Sequence, residues 1–190
     1  MIFVPLTVEH LVEVSRVAAA LFPWESEHQE ALATALAPEA HRVFLGEHGL
    51  ASVCCWVALK GNLIAGLACF YVYDDRPDEV WLAWFGLRPE MRGQGKGRQF
   101  LDWCIATSRG EGRKILRLWT TNESEYAAAR QMYERSGFIC ENWPALPGED
   151  WTTYVLSLGL DGACPTPWRT VSSPRELCGR VIPDVAVVAA

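Results

Sequence analysis

Residues 87–101 read Leu-Arg-Pro-Glu-Met-Arg-Gly-Gln-Gly-Lys-Gly-Arg-Gln-Phe-Leu. An apolar run, Val80 to Leu87, leads into Pro89; three glycines then alternate at Gly93, Gly95 and Gly97, and a helical pattern follows. The order is strand, glycine loop, helix. Glycine lets the backbone turn tightly and lets a ligand approach with no Cβ in the way. The first turn of a helix presents N–H groups without intrahelical partners, at the positive end of the helix dipole, which suits such a loop to phosphate. Arg88, Arg92, Lys96 and Arg98 stand against Glu90 alone, in a chain whose net charge is -6. A basic island in an acidic protein asks for an anion.

Two common phosphate loops do not fit. The Walker loop needs glycine at position 90 and Ser or Thr after the lysine, where this chain has Glu90 and Gly97. The dinucleotide fingerprint GxGxxG fails because the glycines alternate and Arg98 sits where the third belongs. What matches is Arg-x-x-Gly-x-Gly, Arg92 to Gly97, after a strand and before a helix. This resembles the acyl-CoA loop of the Gcn5-related N-acetyltransferases (GNAT). The competing reading is an ordinary strand-to-helix turn with solvated basic residues.

A chain of 190 residues supports one substantial core. Hydrophobic content of 50%, charged content of 21% and nine tryptophans describe a globular protein. The acidic pI, about 5.2, argues against general nucleic-acid binding, which rests on broad basic surfaces. No apolar run is long enough to span a bilayer, and Met1 to Thr7 lacks the basic start of a signal peptide, so neither a membrane nor an export route is expected. The seven cysteines are odd in number and form no C-x-x-C pair. Most read as small buried hydrophobes of a reducing cytosol, without a disulfide framework or zinc site, and a cytoplasmic location follows as the expectation. His10, His28, His41 and His48 show no ligand spacing, so no metal is expected.

Along the chain, Ile2 to Val4 reads as a first strand and Val8 to Leu21 as a helix capped by Thr7. Ser26 with Gln29 forms a capping-box pattern before a second helix, Glu27 to Ala37, and Arg42 to Leu45 is a loop or minor strand. Ala51–Leu59 and Leu63–Tyr73 form a hairpin about Lys60-Gly61-Asn62, and Glu79–Leu87 is the next strand. These runs are too apolar for simple alternation, so the sheet is covered on both faces. A helix from Gly95 to about Ser108, a strand over Lys114–Trp119 and a helix over Ser124–Ser136 closed by Gly137 follow. Strands at Phe138–Glu141 and Trp151–Leu158 flank a loop at Trp143–Gly148. Residues 159–190 hold four of the eleven prolines and read as a tail, with a short helix at Pro174 to Cys178.

A second motif, Ala-Arg-Gln-Met-Tyr-Glu-Arg-Ser-Gly-Phe at Ala129 to Phe138, is similar to the "A-x-x-x-Y-E-x-x-G-F" of the same family. With the element order it extends the resemblance over 1–158, leaving 159–190 as a partly irregular tail. The resemblance implies an α+β fold of α/β/α layers, with a mixed central sheet of six to seven strands and about four helices. It implies acetyl-CoA as co-substrate, held between two parallel strands that splay apart. Backbone N–H groups at Gln94, Gly95, Lys96 and Gly97, within the turn begun at Gly93, would grip the pyrophosphate. Arg92 and Arg98 would add charge, an N–H near Leu87 would polarise the thioester carbonyl, and Ala129 would face the cofactor.

A primary amine, with a pKa of about 10.4, arrives protonated and must lose a proton before attack, while the departing thiolate, near about 8.5, benefits from gaining one. Tyr133 matches the family's proton-donating tyrosine; packing beside Met132 and Phe138 is its competing role. Glu79, which opens the strand of the active-site lip, is the candidate base, with Glu123 and Glu125 as competitors. The family often has Asn seven residues before its tyrosine, where this chain has Tyr126; Asn122 caps the helix instead. Trp24 and Glu25 fall where the family shapes its acceptor pocket. The expected activity is transfer of acetyl to the primary amine of a small molecule in a ternary complex. Acetylation of a protein or peptide, or silent acyl-CoA binding, are the alternatives, and a homodimer is compatible with the tail.

Overall fold

Long β-rich runs separated by a Lys60-Gly61-Asn62 turn, with Gly61 at φ 58°, fold back on one another as β2 (Leu50–Lys60) and β3 (Leu63–Tyr73). The computed structural model describes residues 1–143, 148 and 150–170. Before the hairpin come β1 (Ile2–Pro5), α1 (Val8–Leu21), α2 (Glu27–Leu36) and α3 (Arg42–Glu47). After it come β4 (Glu79–Leu87), α4 (Lys96–Gly110), β5 (Ile115–Thr121), α5 (Ala127–Arg135), β6 (Ile139–Trp143) and β7 (Thr153–Gly159). The sheet order is β1-β2-β3-β4-β5-β7-β6, and β4–β5 is its parallel pair. A parallel neighbour needs a crossover, which α4 supplies.

Both faces of the sheet are covered, as the lack of simple alternation demands. On β3, Leu67, Cys69, Tyr71 and Tyr73 enter a core with Val14 and Val17 of α1 and Leu32 of α2. Ala68, Phe70 and Val72 enter the opposite core, with Phe100 and Leu101 of α4 and Tyr133 of α5. The expected α+β sandwich is therefore present, with seven strands and five α-helices among the described residues. No described helix is long and apolar enough to cross a membrane.

Several local expectations are corrected. Arg42–Glu47 is a helical turn and a half, not a loop or strand, and it seats Phe44 and Leu45 against the α1/α2 core. The Ser26–Gln29 capping box does not form, because the Ser26 N–H donates to Glu27 (2.9 Å) and the Gln29 amide donates to the Ser15 carbonyl (3.2 Å). Asn122 does not cap a helix. Its side chain accepts from the Thr152 N–H and its own N–H donates to the Thr152 carbonyl, both at 2.9 Å, which clips the end of β5 to β7. Cys55 and Cys69 are register partners across β2–β3 and form a disulfide, so these two are not lone thiols.

The chain after Leu158 also stays packed beyond the expected boundary. Leu160 and Trp168 are buried, and Trp168 lies against Tyr73 and Trp81. The helix expected at Pro174 to Cys178 and most of the loop after Trp143 lie outside the described residues.

Candidate active site

The parallel pair β4–β5 is short. Glu79, Val80 and Trp81 register with Ile115, Leu116 and Arg117, and the pairing stops there. Beyond that point β4 stays with β3 and β5 stays with β7, so the strands part. A bulge explains the departure of β4: its register with β3 passes from Ala83↔Cys69 to Gly86↔Leu67, leaving Trp84 and Phe85 unmatched. Trp84 takes φ 42°, a strained value for a bulky residue, and alternation breaks as Ala83 and Trp84 both pack toward the α1/α2 core. The gap opens into a cleft of about 600 Å³, with Leu82 to Phe85 on one lip and Leu118 to Thr121 on the other.

α5 forms the floor. Ala129 and Tyr133, one helical turn apart, both line the cleft. Tyr133 is only 6% exposed, and its ring sits among Phe85 and Phe138. Burial, with Cys104 nearby, pushes its hydroxyl well above the ordinary range, so it keeps its proton at neutral pH. Cys104 itself is fully buried in the core, its thiol pushed up by desolvation, and it is no nucleophile.

The outer wall comes from distant segments. Phe22 and Trp24, between α1 and α2, and Trp151, at the start of the last hairpin arm, complete it. Tyr126, at the position where the resembling family often has Asn, also lines the cleft and meets Trp24 edge-on at 6.3 Å. Glu25, Glu27, Glu123 and Glu125 line the same space. Burial and the neighbouring Glu125, Glu123 and Glu25 hold the Tyr126 hydroxyl above its usual range, protonated. The roles of Trp151 and Phe22 were not read from the sequence, since neither falls in a motif.

The glycine loop lies between β4 and α4. Gly93 and Gly95 take φ 72° and 71°, and a Cβ at either would meet nothing within 4 Å, so the backbone is open to a ligand there. Gly95 caps the N-terminus of α4, leaving Lys96, Gly97 and Arg98 with first-turn N–H groups that have no intrahelical acceptor. A Cβ on Gly97 would touch Met132 at 3.6 Å, which fits the close approach of α5. Arg92 anchors through Nε to the Leu87 carbonyl (3.0 Å), Lys96 donates to Gln94 (2.9 Å) and Arg98 pairs with Asp102 (2.7 Å). Three exposed or half-buried cations thus surround an open, amide-rich turn, a donor set that fits a diphosphate. Arg88 does not join them; it is held by Glu13 (2.5 Å) and the Ile64 carbonyl (2.7 Å).

Two expected site residues stand outside the side-chain lining of the cleft. Leu87 registers with Gly66 on β3 and its carbonyl accepts from Arg92 Nε, which braces the loop. Trp84 and Phe85, just before it, are the residues left unmatched on the ladder. Glu79 lies at the closed end of the β4–β5 pair, where it pairs with Arg117 (2.7 Å) and Arg76 (3.2 Å). Arg117 is 0% exposed and also donates to Ser157 (2.6 Å) and to the Thr166 carbonyl (2.9 Å), under the Trp168 ring. A buried guanidinium requires such partners. Glu79 is its counter-ion and is not among the residues that line the cleft. Among the described residues no group of side chains could hold a metal ion.

A sequence family described as the acetyltransferase (GNAT) family matches residues 15–138. No curated protein matches the chain by sequence. Among solved structures, a GNAT-family protein from Desulfovibrio desulfuricans superimposes with a TM-score of 0.65 at 21% identity, covering 83% of this chain and 98% of that one. The yncA protein of Salmonella typhimurium, solved with its cofactor acetyl-CoA, gives 0.63 at 20% identity over 88% and 98%. The ribosomal-protein-S18-alanine N-acetyltransferase of Escherichia coli gives 0.62 at 19% identity over 86% and 96%.

Proposed function

The chain belongs to the GNAT acetyltransferase family, and from that premise we propose that it is an acetyl-CoA-dependent N-acetyltransferase whose acceptor is the primary amine of a small molecule, attacked directly in a ternary complex. The observation that carries this reading is the parting of β4 from β5 after Trp81, with a protonated Tyr133 on the floor and the open turn at Gly93–Gly97 beside it. Acetyl-CoA, when bound, supplies an activated acyl carbonyl and a thiolate leaving group.

The chain's own groups divide the remaining work. Amides of Gly95, Lys96 and Gly97, with Arg92 and Arg98, hold the diphosphate. Ala129, small and on the floor, leaves room for the arm of the cofactor. Tyr133 holds a proton at its hydroxyl for the departing sulfur, and its burial keeps that proton from bulk solvent. Glu123 and Glu125, at the mouth past β5, receive the proton that the amine must shed, through solvent. Aromatic walls drawn from five separate segments favour a compact acceptor over an extended peptide.

Calorimetry with CoA, followed by thiol release across a panel of amines, tests the assignment. The expected result is CoA binding and amine-dependent thiol release. Folded protein that binds no CoA overturns it.

A further inference from the structure

The acceptor side of the cleft carries charge of one sign. Glu25, Glu27, Glu123 and Glu125 line it, and no Lys, Arg or His is found among its described lining residues. Neutral donors orient three of these carboxylates: Trp84 Nε1 to Glu25 (2.5 Å), the Ser26 N–H to Glu27 (2.9 Å) and Thr121 Oγ1 to Glu123 (2.7 Å). Arg130 of α5 is engaged with the carbonyls of Thr121 and Glu123, at 2.6 and 2.8 Å. Between the carboxylates stand Trp24, Trp84, Trp119, Tyr126 and Trp151. Aromatic faces attract cations as well as apolar surface.

This field creates a difficulty for a simple monoamine. Carboxylates around a lone ammonium stabilise its charged form and raise its pKa, which opposes the deprotonation that attack requires. A second charge elsewhere on the acceptor resolves it, because the carboxylates then hold a centre that never reacts. Resting on the acetyltransferase reading, we infer that the acceptor is a dication: a primary amine joined through an apolar, ring-sized body to a second cationic group, which the α1–α2 junction at Glu25 and Glu27 receives. Amino acids and acidic peptides are disfavoured, since each would bring a carboxylate into an acidic cleft.

Three acceptors of one shape test this: p-xylylenediamine, benzylamine and p-(aminomethyl)benzoate differ only in a second group that is cationic, absent or anionic. The expected order of kcat/KM follows that sequence, with about fivefold between the first two, the scale of one half-exposed ion pair. Glu27→Gln should erase that ratio, and added salt should shrink it. A second arm needs no acyl transfer. The bis-trimethylammonium analogue of the diamine should quench tryptophan fluorescence, and its neutral bis-alcohol counterpart should not. Failure to bind CoA would end the enzymatic reading, yet the fluorescence arm would still decide whether the cleft takes a dication. Equal or better turnover of the benzoate, or equal quenching by the neutral diol, overturns the inference while leaving acetyl transfer standing.

Discussion

The indole Nε1 of Trp84 donates to the carboxylate of Glu25 at 2.5 Å, joining residues 59 positions apart. Trp84 is the strained residue of the β4 bulge, and Glu25 lies between the two N-terminal helices. One bond therefore ties the point where the sheet opens to the outer wall of the cleft. Strain at φ 42° persists only where surrounding contacts over-determine it, and this bond is one of them.

Trp84→Phe keeps an aromatic wall and removes the donor. A hydrogen bond to a charged group contributes about 2 kcal/mol, so the amine KM should rise by up to about thirtyfold. The Kd for CoA should stay as in the parent. Steady-state kinetics beside calorimetry separates the two, and a loss of CoA affinity alone would mean that the bond serves the other half of the cleft.

Tyr133→Phe removes one oxygen from a site where the ring remains packed by Phe85 and Phe138. Loss of a positioned proton donor costs on the order of 10²-fold in rate. We expect kcat to fall by that factor with CoA affinity and Tm retained. Unchanged kcat would return Tyr133 to a packing role.

Arg92→Glu places a negative charge beside the open turn. Since Arg92 is exposed and anchored by Nε to Leu87, the fold should tolerate the change. CoA affinity should drop by more than about tenfold, reflecting a lost charge-assisted contact and a new repulsion. Calorimetry showing the parent affinity would mean that the diphosphate lies elsewhere.

Glu79→Gln distinguishes a counter-ion from a base. Removing one partner of a buried ion pair costs about 3–5 kcal/mol, because Arg117 would keep its charge without a full partner. Thermal unfolding should show a marked fall in Tm, while kcat per folded molecule survives. A silent Tm with abolished turnover would restore Glu79 as the base.

His28 is 2% exposed, and burial holds its imidazole below the ordinary 6.5, against a smaller upward pull from Glu27. The unfolded chain then takes up a proton at a pH where the folded chain does not. Stability from the neutral ring is thus complete above about 6.5 and declines as pH falls through that value toward the lowered one. His28→Leu should flatten this part of the acid limb, so that its Tm falls by fewer degrees than the parent's between neutral and mildly acid pH. Parallel Tm curves for the two proteins would exclude His28 as a contributor.

Short-range physics made much of this protein legible in its residues alone. The strand, loop and helix around Arg92–Gly97 follow from an apolar run, alternating glycines and a helical repeat that all lie within some twenty positions. Ala129 and Tyr133 share a face because a helix repeats every 3.6 residues, so both reach the cleft once α5 exists. Tertiary structure alone decided the fate of the charges. Glu79 looked like a base because it opens the correct strand, yet Arg117, 38 positions on, and Trp168, from the presumed tail, make that end of the strand a closed core. The bulge at Trp84, the pairing of Cys55 with Cys69 and the arrival of Phe22 and Trp151 at the same wall likewise depend on strand register and on which surfaces lose water together. Register and desolvation are summed over the whole sheet, and no local window of sequence contains them.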